Sequence, residues 1–412
     1  MEMSQDERKQ LRRQKAEKRA KNQKKLLICL AIAFAILLIA VILIVVLSGK
    51  DDAPEETPVQ QAGDAMVYND DTVHIVFGGD VNVTNNVVAS GGSAMDYTRT
   101  FMDVGHLFGG ADLAVVNLEG ILYGAPYGDD GRGSAPQQLM DALNKTGVDL
   151  VQVANSYSLN RGVTGLGMTL DGIRMAGMEP VGAYATASEA RKSGGYVLCD
   201  VGGVKVAFVA FTKGMSGYSL PQESAGCVNV LYSDYNDNYQ KVDTEGIKKT
   251  ISAAEQSGAD LTVALVHWGS EYNDTISESQ EQILQIMQSN GVDAVIGTHA
   301  HRVQQMVYDP DAGTFVAYCL GDLIGDAPRA GAEYSVLLDL QITKSGEDGP
   351  RITGYDYTPI YTVREEGKPV RVVRIDEAMK AYEAGFIDAV NEATYNSMKN
   401  AKERISARVK GE

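Results

Sequence analysis

Residues 297–301 read Gly-Thr-His-Ala-His and close an apolar run that starts at Asp293. A third imidazole, His267, ends another such run, Leu261-Thr-Val-Ala-Leu-Val, just before the single tryptophan, Trp268. The chain has only five histidines, so three at the ends of apolar runs is a concentration that core packing does not require. Neutral imidazoles on loops after parallel strands are groups a protein uses to hold a transition metal. Oxygen donors recur at equivalent places: Asp80 follows VFGG, Glu119 follows VVNL and Asn155 follows VQVA. Such a mixed N/O set suits Mn, Fe or Zn rather than Ca or Mg. Singly, each residue has a plain structural reading: a turn acid for Asp80, a surface acid for Glu119, a strand-ending cap for Asn155 and a core histidine for His267. Their recurrence at strand ends in one chain favours the joint reading.

The elements that must position these residues are legible as a pattern. Val73–Gly79, Asp112–Asn117, Asp149–Asn155, Leu261–Trp268 and Asp293–Gly297 are short apolar runs of the kind that form buried strands. Helical periodicity fills the intervals at Gln137–Lys145, Thr164–Ala176, Thr244–Gln256 and Ser277–Ser289. This alternation predicts an α/β fold with crossover units, a largely parallel core sheet and ligands at the carboxyl ends of its strands. Gly202-Gly203 and Asp309–Gly313 are hairpin signals that bring further strands. The expected body is one domain, 72–375, with two sheets covered by helices. The remaining segment, 376–412, reads as helical, and packing on the body is the simplest use of its apolar spacing.

The charge is distributed unevenly. The chain's formal charge is −17, yet residues 1–25 hold ten Lys/Arg against four Asp/Glu, which leaves 27 basic and 50 acidic residues, a net −23, for the rest. An acidic body without a basic stripe excludes nucleic acid as a natural partner. Residues 26–47 (LLICLAIAFAILLIAVILIVVL) contain no charge, and a span of that length crosses a hydrocarbon core of about 30 Å at about 1.5 Å per residue. Positive charge stays inside, so the expected topology is single-pass at the cell membrane, with 1–25 cytoplasmic and the main domain extracytoplasmic. A cleavable signal peptide would carry a shorter apolar region with a small-residue cleavage site. Residues 48–71, acidic and aperiodic, read as a flexible stalk. The three cysteines of the body, Cys199, Cys227 and Cys319, do not make a disulfide framework, and Cys199 and Cys319 read as buried thiols in apolar strands.

The motifs in order, GGD80, NLEG120, the stretch from Ser134 to Gly177, HWGSEY272, GTHAHRVQ304 and YCLGD322, resemble the CapA, or poly-γ-glutamate capsule synthesis, family within the calcineurin-like metallophosphoesterase superfamily. The resemblance covers about Val73 to Tyr361. It implies a four-layer α/β/β/α sandwich and a membrane-anchored extracytoplasmic protein. It also implies a part in making or exporting poly-γ-glutamate or another surface polymer, beside a membrane synthase complex. Asp80 matches the family's metal aspartate, Asn117 and Glu119 its Asn-Leu-Glu, His267 its His-Trp-Gly, and His299 with His301 its paired histidines, Ala300 replacing proline. Two departures bear on chemistry: Ser156 stands where the superfamily has an asparagine ligand, and Tyr157 where it has the leaving-group histidine. Gly-Asn near the end is here Gly321-Asp322.

The implied ligands to one or two divalent ions are therefore Asp80, Glu119, His267, His299 and His301, with Asn155 as a substitute donor for the lost amide. Tyr157 would hydrogen-bond the departing oxygen, although a phenol with an ordinary pKa near 10 is a slow acid. Asn117, Arg161 and Arg302 are candidate substrate contacts, with Arg132 a further member of a local cation patch. Two function classes stay open. One is a metal-dependent phosphoesterase acting on an extracellular polymer or its lipid-linked precursor. The other is a binding and assembly component that keeps the fold without turnover.

Overall fold

The computed structural model of the chain describes residues 71–326, 329–345, 349–386 and 390–412. The expected cytoplasmic segment, apolar span and all but the end of the stalk lie outside the described residues. Among the described residues no helix is long and apolar enough to cross a membrane.

Fourteen strands are described: β1 (Thr72–Asn82), β2 (Leu113–Glu119), β3 (Leu150–Gln152), β4 (Glu179–Val181), β5 (Tyr196–Val201), β6 (Val204–Thr212), β7 (Leu261–His267), β8 (Ala294–Thr298), β9 (Met306–Asp309), β10 (Thr314–Ala317), β11 (Asp322–Ile324), β12 (Tyr334–Thr343), β13 (Arg351–Val363) and β14 (Arg371–Arg374). The helices are α1 (Asn85–Ala89), α2 (Thr98–Phe101), α3 (Gly105–Gly109), α4 (Gln137–Thr146), α5 (Gly162–Met175), α6 (Ala187–Ser193), α7 (Thr244–Glu255), α8 (Glu278–Gln288), α9 (Ile375–Glu383) and α10 (Glu392–Lys410). The fold is mixed α/β with two sheets. One runs β14-β13-β12-β1-β2-β3-β4 with β11 also paired to β1, and the other runs β5-β6-β7-β8-β10-β9.

One sequence expectation needs correcting. The five apolar runs do not share a single parallel sheet: β1, β2 and β3 are parallel neighbours in the larger sheet, whereas β7 and β8 are parallel neighbours in the smaller. The larger sheet is parallel from β1 through β4 and antiparallel on its β12-β13-β14 side, while the smaller is parallel at its centre and closed at both edges by the β5-β6 and β9-β10 hairpins. A strand buried on both faces carries the same continuous apolar run in either sheet, so the pattern cannot assign it.

Alternation along a strand builds the layers. On β6, Val206, Phe208 and Ala210 join the core cluster that includes β1 and β2, while Ala207, Val209 and Phe211 join a second cluster with Ile247 and Ile251 of α7 and Ile283 and Met287 of α8. The helices start where local chemistry says they should. Asp243 caps α7, and Ser277 with Gln280 forms a capping box on α8. Gly147 ends α4 in the left-handed conformation. At the carboxyl end, α10 buries Met398, Ala401, Ile405 and Val409 in the main core and touches β12, β13 and β9, so this segment packs on the body.

Candidate metal centre

The two parallel sets end near one another, and their last residues converge. Asp80 lies two residues before the end of β1, Asn117 and Glu119 lie at the end of β2, His267 ends β7, and His299 and His301 follow β8. Close backbone approaches hold these ends in place. A Cβ at Gly79 would strike the carbonyl of Gly321, which accepts the Asp80 N–H at 3.0 Å; a Cβ at Gly297 would strike the carbonyl of Tyr318. Only glycine fits at either position.

Asp80, Glu119, His267, His299, His301 and Asp322 are all buried. Their ligand atoms form two groups whose members lie within 4.8 Å of one another: Glu119, His267 and His299 in one, Asp80, Glu119 and His301 in the other. Glu119 belongs to both. Its Oε1 is 3.2 Å from His267 Nε2 and its Oε2 is 3.6 Å from His301 Nε2. Two buried atoms of these residues have no hydrogen-bond partner, His299 Nδ1 and Asp322 Oδ2. Orphaned polar atoms at this depth are expensive unless something pairs with them, and for His299, a member of the first group, a divalent cation is such a partner. His299 and His301 also sit at positive φ, 90° and 54°. A non-glycine residue held there is strained by about 1–3 kcal/mol, a cost usually met at functional sites.

Two of the three imidazoles, those of His267 and His301, are oriented by a second contact. Thr298 Oγ1 lies 3.1 Å from His267 Nδ1, which turns Nε2 toward Glu119 and toward Ser156 Oγ at 3.1 Å. Asp322 Oδ1 lies 2.7 Å from His301 Nδ1, and Tyr272 stacks on the His301 ring with centroids 5.1 Å apart. Such outer contacts fix which nitrogen faces a metal. Burial drives the electrostatics. It pushes Asp80 up to about 7, with Asp322 adding and His301 opposing, and it holds Glu119 well above the usual carboxylate range with help from Asp80. Burial also depresses His267 and His299 well below the ordinary histidine value, assisted by neighbouring cationic groups that include Lys213. His301 goes the other way: burial disfavours its charge, but Asp322, Glu119 and Asp80 together outweigh burial and raise it.

The remaining candidates separate. Asn155 donates through Nδ2 to Asn117 Oδ1 at 3.0 Å and to the Leu118 carbonyl at 2.6 Å, while its Oδ1 accepts from the Tyr157 N–H at 2.9 Å. Asn117 in turn donates to Asp80 Oδ1 at 2.6 Å. The two amides thus form a relay that orients Asp80. Arg302 donates to the Asp274 carboxylate at 3.0 and 3.1 Å and to the Ala330 carbonyl at 2.7 Å, while its Nε is buried without a partner. Tyr157 is half-buried, its ring against Gly133, and burial followed by the Glu119 charge raises its hydroxyl, so it keeps a proton to donate. Arg161 lies over the Tyr123 ring and reaches the Gly131 carbonyl at 3.4 Å. Sequence reasoning missed three contributors: Asp322, Thr298, and Lys213, whose Nζ donates to the Gly269 carbonyl at 2.7 Å. For Asp322 a signal existed, an acid ending the apolar run VAYCLG. Cys319 is buried and Cys199 half-buried, and burial pushes their thiols up to about 12 and about 11, so neither is a nucleophile.

A mixed α/β body that gathers three imidazoles and three carboxylates where two sheets end is built around a candidate metal centre. Residues 74–327 match the family described as Bacterial capsule synthesis protein PGA_cap, and the chain belongs to that family. It is 24% identical over 367 residues to the PGA biosynthesis protein CapA of Bacillus subtilis (strain 168), covering 87% of this chain and 88% of the relative. It is 25% identical over 217 residues to the Capsule biosynthesis protein CapA of Bacillus anthracis, covering 52% and 49%. Among solved structures it overlaps a putative 5'-nucleotidase from Staphylococcus aureus (TM-score 0.47, 14% identity, 81% of this chain and 58% of the other) and a phosphatase from Mycoplasma pneumoniae (TM-score 0.45, 12%, 70% and 94%). Both overlaps are partial, and the site's chemistry is read from this chain's own residues.

Proposed function

We propose that this chain serves the synthesis, assembly or export of a capsular surface polymer, poly-γ-glutamate or a similar polyanion, from the outer face of the cell membrane, and does so through a two-ion metal centre. In this reading residues 26–47 anchor the chain, 48–71 space the body from the bilayer, 72–375 form a four-layer α/β/β/α sandwich of the metallophosphoesterase type, and 376–412 pack on it. A membrane synthase complex is the partner such an anchored body would meet. The observation that carries the metal centre is Glu119, shared by two groups of ligand atoms. The donor set fits Mn, Fe or Zn: His267 and His299 with Glu119 would hold one ion, and Asp80 and His301 with the same Glu119 the other.

Two bound ions would supply Lewis acidity and a hydroxide at neutral pH. The protein's own part is positional. Thr298 and Asp322 turn the imidazoles, the Asn155–Asn117 relay turns Asp80, and Tyr157 donates a hydrogen bond to an oxygen leaving beside Glu119. This arrangement favours a second, narrower reading: metal-dependent hydrolysis of a phosphoester in the extracellular polymer or its lipid-linked precursor. The test uses the full chain in detergent, loaded with Mn, against phosphomonoesters and phosphodiesters. Tyr157→Phe is expected to lower kcat by about a hundredfold at unchanged metal content, and His301→Ala to abolish turnover; full activity in both variants excludes hydrolysis at this site. In a polymer-producing host, His301→Ala should stop polymer display, and undiminished display would contradict a role for the centre in synthesis.

A further inference from the structure

Beside the centre, and outside it, two arginines share a pocket. It has a volume of about 290 Å³ and is lined by Arg132, Asn160, Arg161 and Tyr218 among others. Three loops that follow parallel strands build it: Arg132 comes after β2, Asn160 and Arg161 after β3, and Tyr218 after β6. The loops are tied together. Asn160 Nδ2 donates to the Arg132 carbonyl at 2.8 Å, Arg161 Nη2 reaches the neighbouring Gly131 carbonyl at 3.4 Å, and Arg132 Nη1 donates to the Tyr218 hydroxyl at 3.2 Å. Both arginines therefore line one pocket, Arg161 with its guanidinium also over the Tyr123 ring. No carboxylate pairs with either among the described residues; Asp129, on the same turn as Arg132, directs its Oδ2 to the Asn85 N–H at 3.2 Å. Arg161 Nε is buried without a partner. Elsewhere in this acidic body Arg174, Arg302, Arg364, Arg371 and Arg408 all hold carboxylates.

The pocket is coupled to the centre by the β3 loop. Ser156, five residues before Arg161, has its Oγ 3.1 Å from His267 Nε2, and its carbonyl accepts from Ser216 Oγ at 3.0 Å on the loop that brings Tyr218. Tyr157 stands between, its ring against Gly133 next to Arg132. We infer that Arg132 and Arg161 form an oxyanion subsite that seats one carboxylate or phosphate of a chain whose neighbouring unit lies at the metal centre. Two planar guanidiniums recognise such groups through paired hydrogen bonds, and the Tyr218 hydroxyl, which accepts from Arg132, keeps its own proton to donate. A bound oxyanion supplies the anionic partner that neither arginine has among the described residues. The subsite also answers a physical difficulty: a body of net −23 repels a polyanion unless cations receive it locally.

The inference rests on the reading that the cleft handles an anionic polymer or its phosphorylated precursor, but its test needs neither metal nor turnover. The full chain in detergent, kept in excess chelator at low ionic strength, is titrated by calorimetry with a γ-linked glutamate tetrapeptide and, separately, with inorganic phosphate. Saturable binding of either probe is expected, weakened about tenfold or more in Arg132→Gln/Arg161→Gln and unchanged in Arg191→Gln, an exposed arginine outside the pocket. Tetrapeptide binding alone assigns the subsite to a polymer carboxylate, and phosphate binding alone assigns it to a phosphorylated precursor. Equal affinity in the wild-type chain and the double variant, or no binding of either probe by a wild-type chain that melts normally, overturns the proposal. Because the titration is run in excess chelator, its outcome is separate from the fate of the metal reading.

Discussion

The two halves of the centre are built from different materials. The half around His301 is acid-rich, with Asp80, Glu119 and Asp322 about one imidazole, whereas the half around His267 and His299 has two imidazoles and Glu119, with Ser156 closing it. Burial then acts with opposite consequences. It drives protons onto the carboxylates of the first half, where His301 is also held protonated, and it keeps the imidazoles of the second half neutral. A metal entering the first half must displace protons; a metal entering the second meets neutral nitrogen donors ready to bind. The sequence departures fall on the two halves with opposite sense. Ser156 removes a donor from the imidazole half, and Asp322 adds a charge to the acidic half. We therefore expect the ions to differ in affinity and in their response to pH.

The sharpest way to break this contrast is to delete one half. His299→Ala should lose one metal equivalent outright and keep the other, and His301→Ala should do the converse, as read by elemental mass spectrometry; loss of both ions from either variant would mean a single coupled site. Next in size is Asp322→Ala, which frees His301 Nδ1 and should weaken the ion at that half by about 10–100-fold in a chelator competition, with Asp322→Asn, which can still accept the imidazole hydrogen bond, recovering part of the loss.

The pH response follows from the same contrast. Asp80 is raised to about 7, so in the metal-free protein it is protonated below that pH, and a metal takes only the carboxylate form. Affinity at the His301 half should fall as pH drops through about 7, by about tenfold per unit for each proton displaced. An affinity there that does not change across this range would contradict the protonated ground state. The smallest effect expected is from Ser156→Asn, which returns an amide to the imidazole half and should tighten its ion by about tenfold or less; no change would mean that the Ser156 position does not face the metal.

Most of the centre was legible because its chemistry sits at strand ends. Asp80, Glu119, His267, His299 and His301 each close an apolar run, and the fold gathers the ends of such runs. What position along the chain could not reveal is which atoms are already hydrogen-bonded. Asn155 and Arg302 stand in the right places, but the first bonds to Asn117, Leu118 and Tyr157 and the second to Asp274 and Ala330. Asp322 was the converse case, visible only as a departure from Gly-Asn until β11 sets it beside Asp80 of β1. The division of the parallel strands between two sheets was equally hidden, because β2 and β7 are both fully buried and carry the same run of apolar residues whichever sheet receives them.

The central claim is that Glu119 is the hinge between two metal positions, and stoichiometry tests it directly. The full chain would be stripped with chelator, reloaded with Mn or Zn, dialysed against metal-free buffer and measured by elemental mass spectrometry beside Glu119→Gln and His299→Ala. The account predicts two equivalents in the wild-type protein, one in His299→Ala and none in Glu119→Gln. No stoichiometric uptake by the wild-type chain, or two equivalents retained in Glu119→Gln, would contradict it.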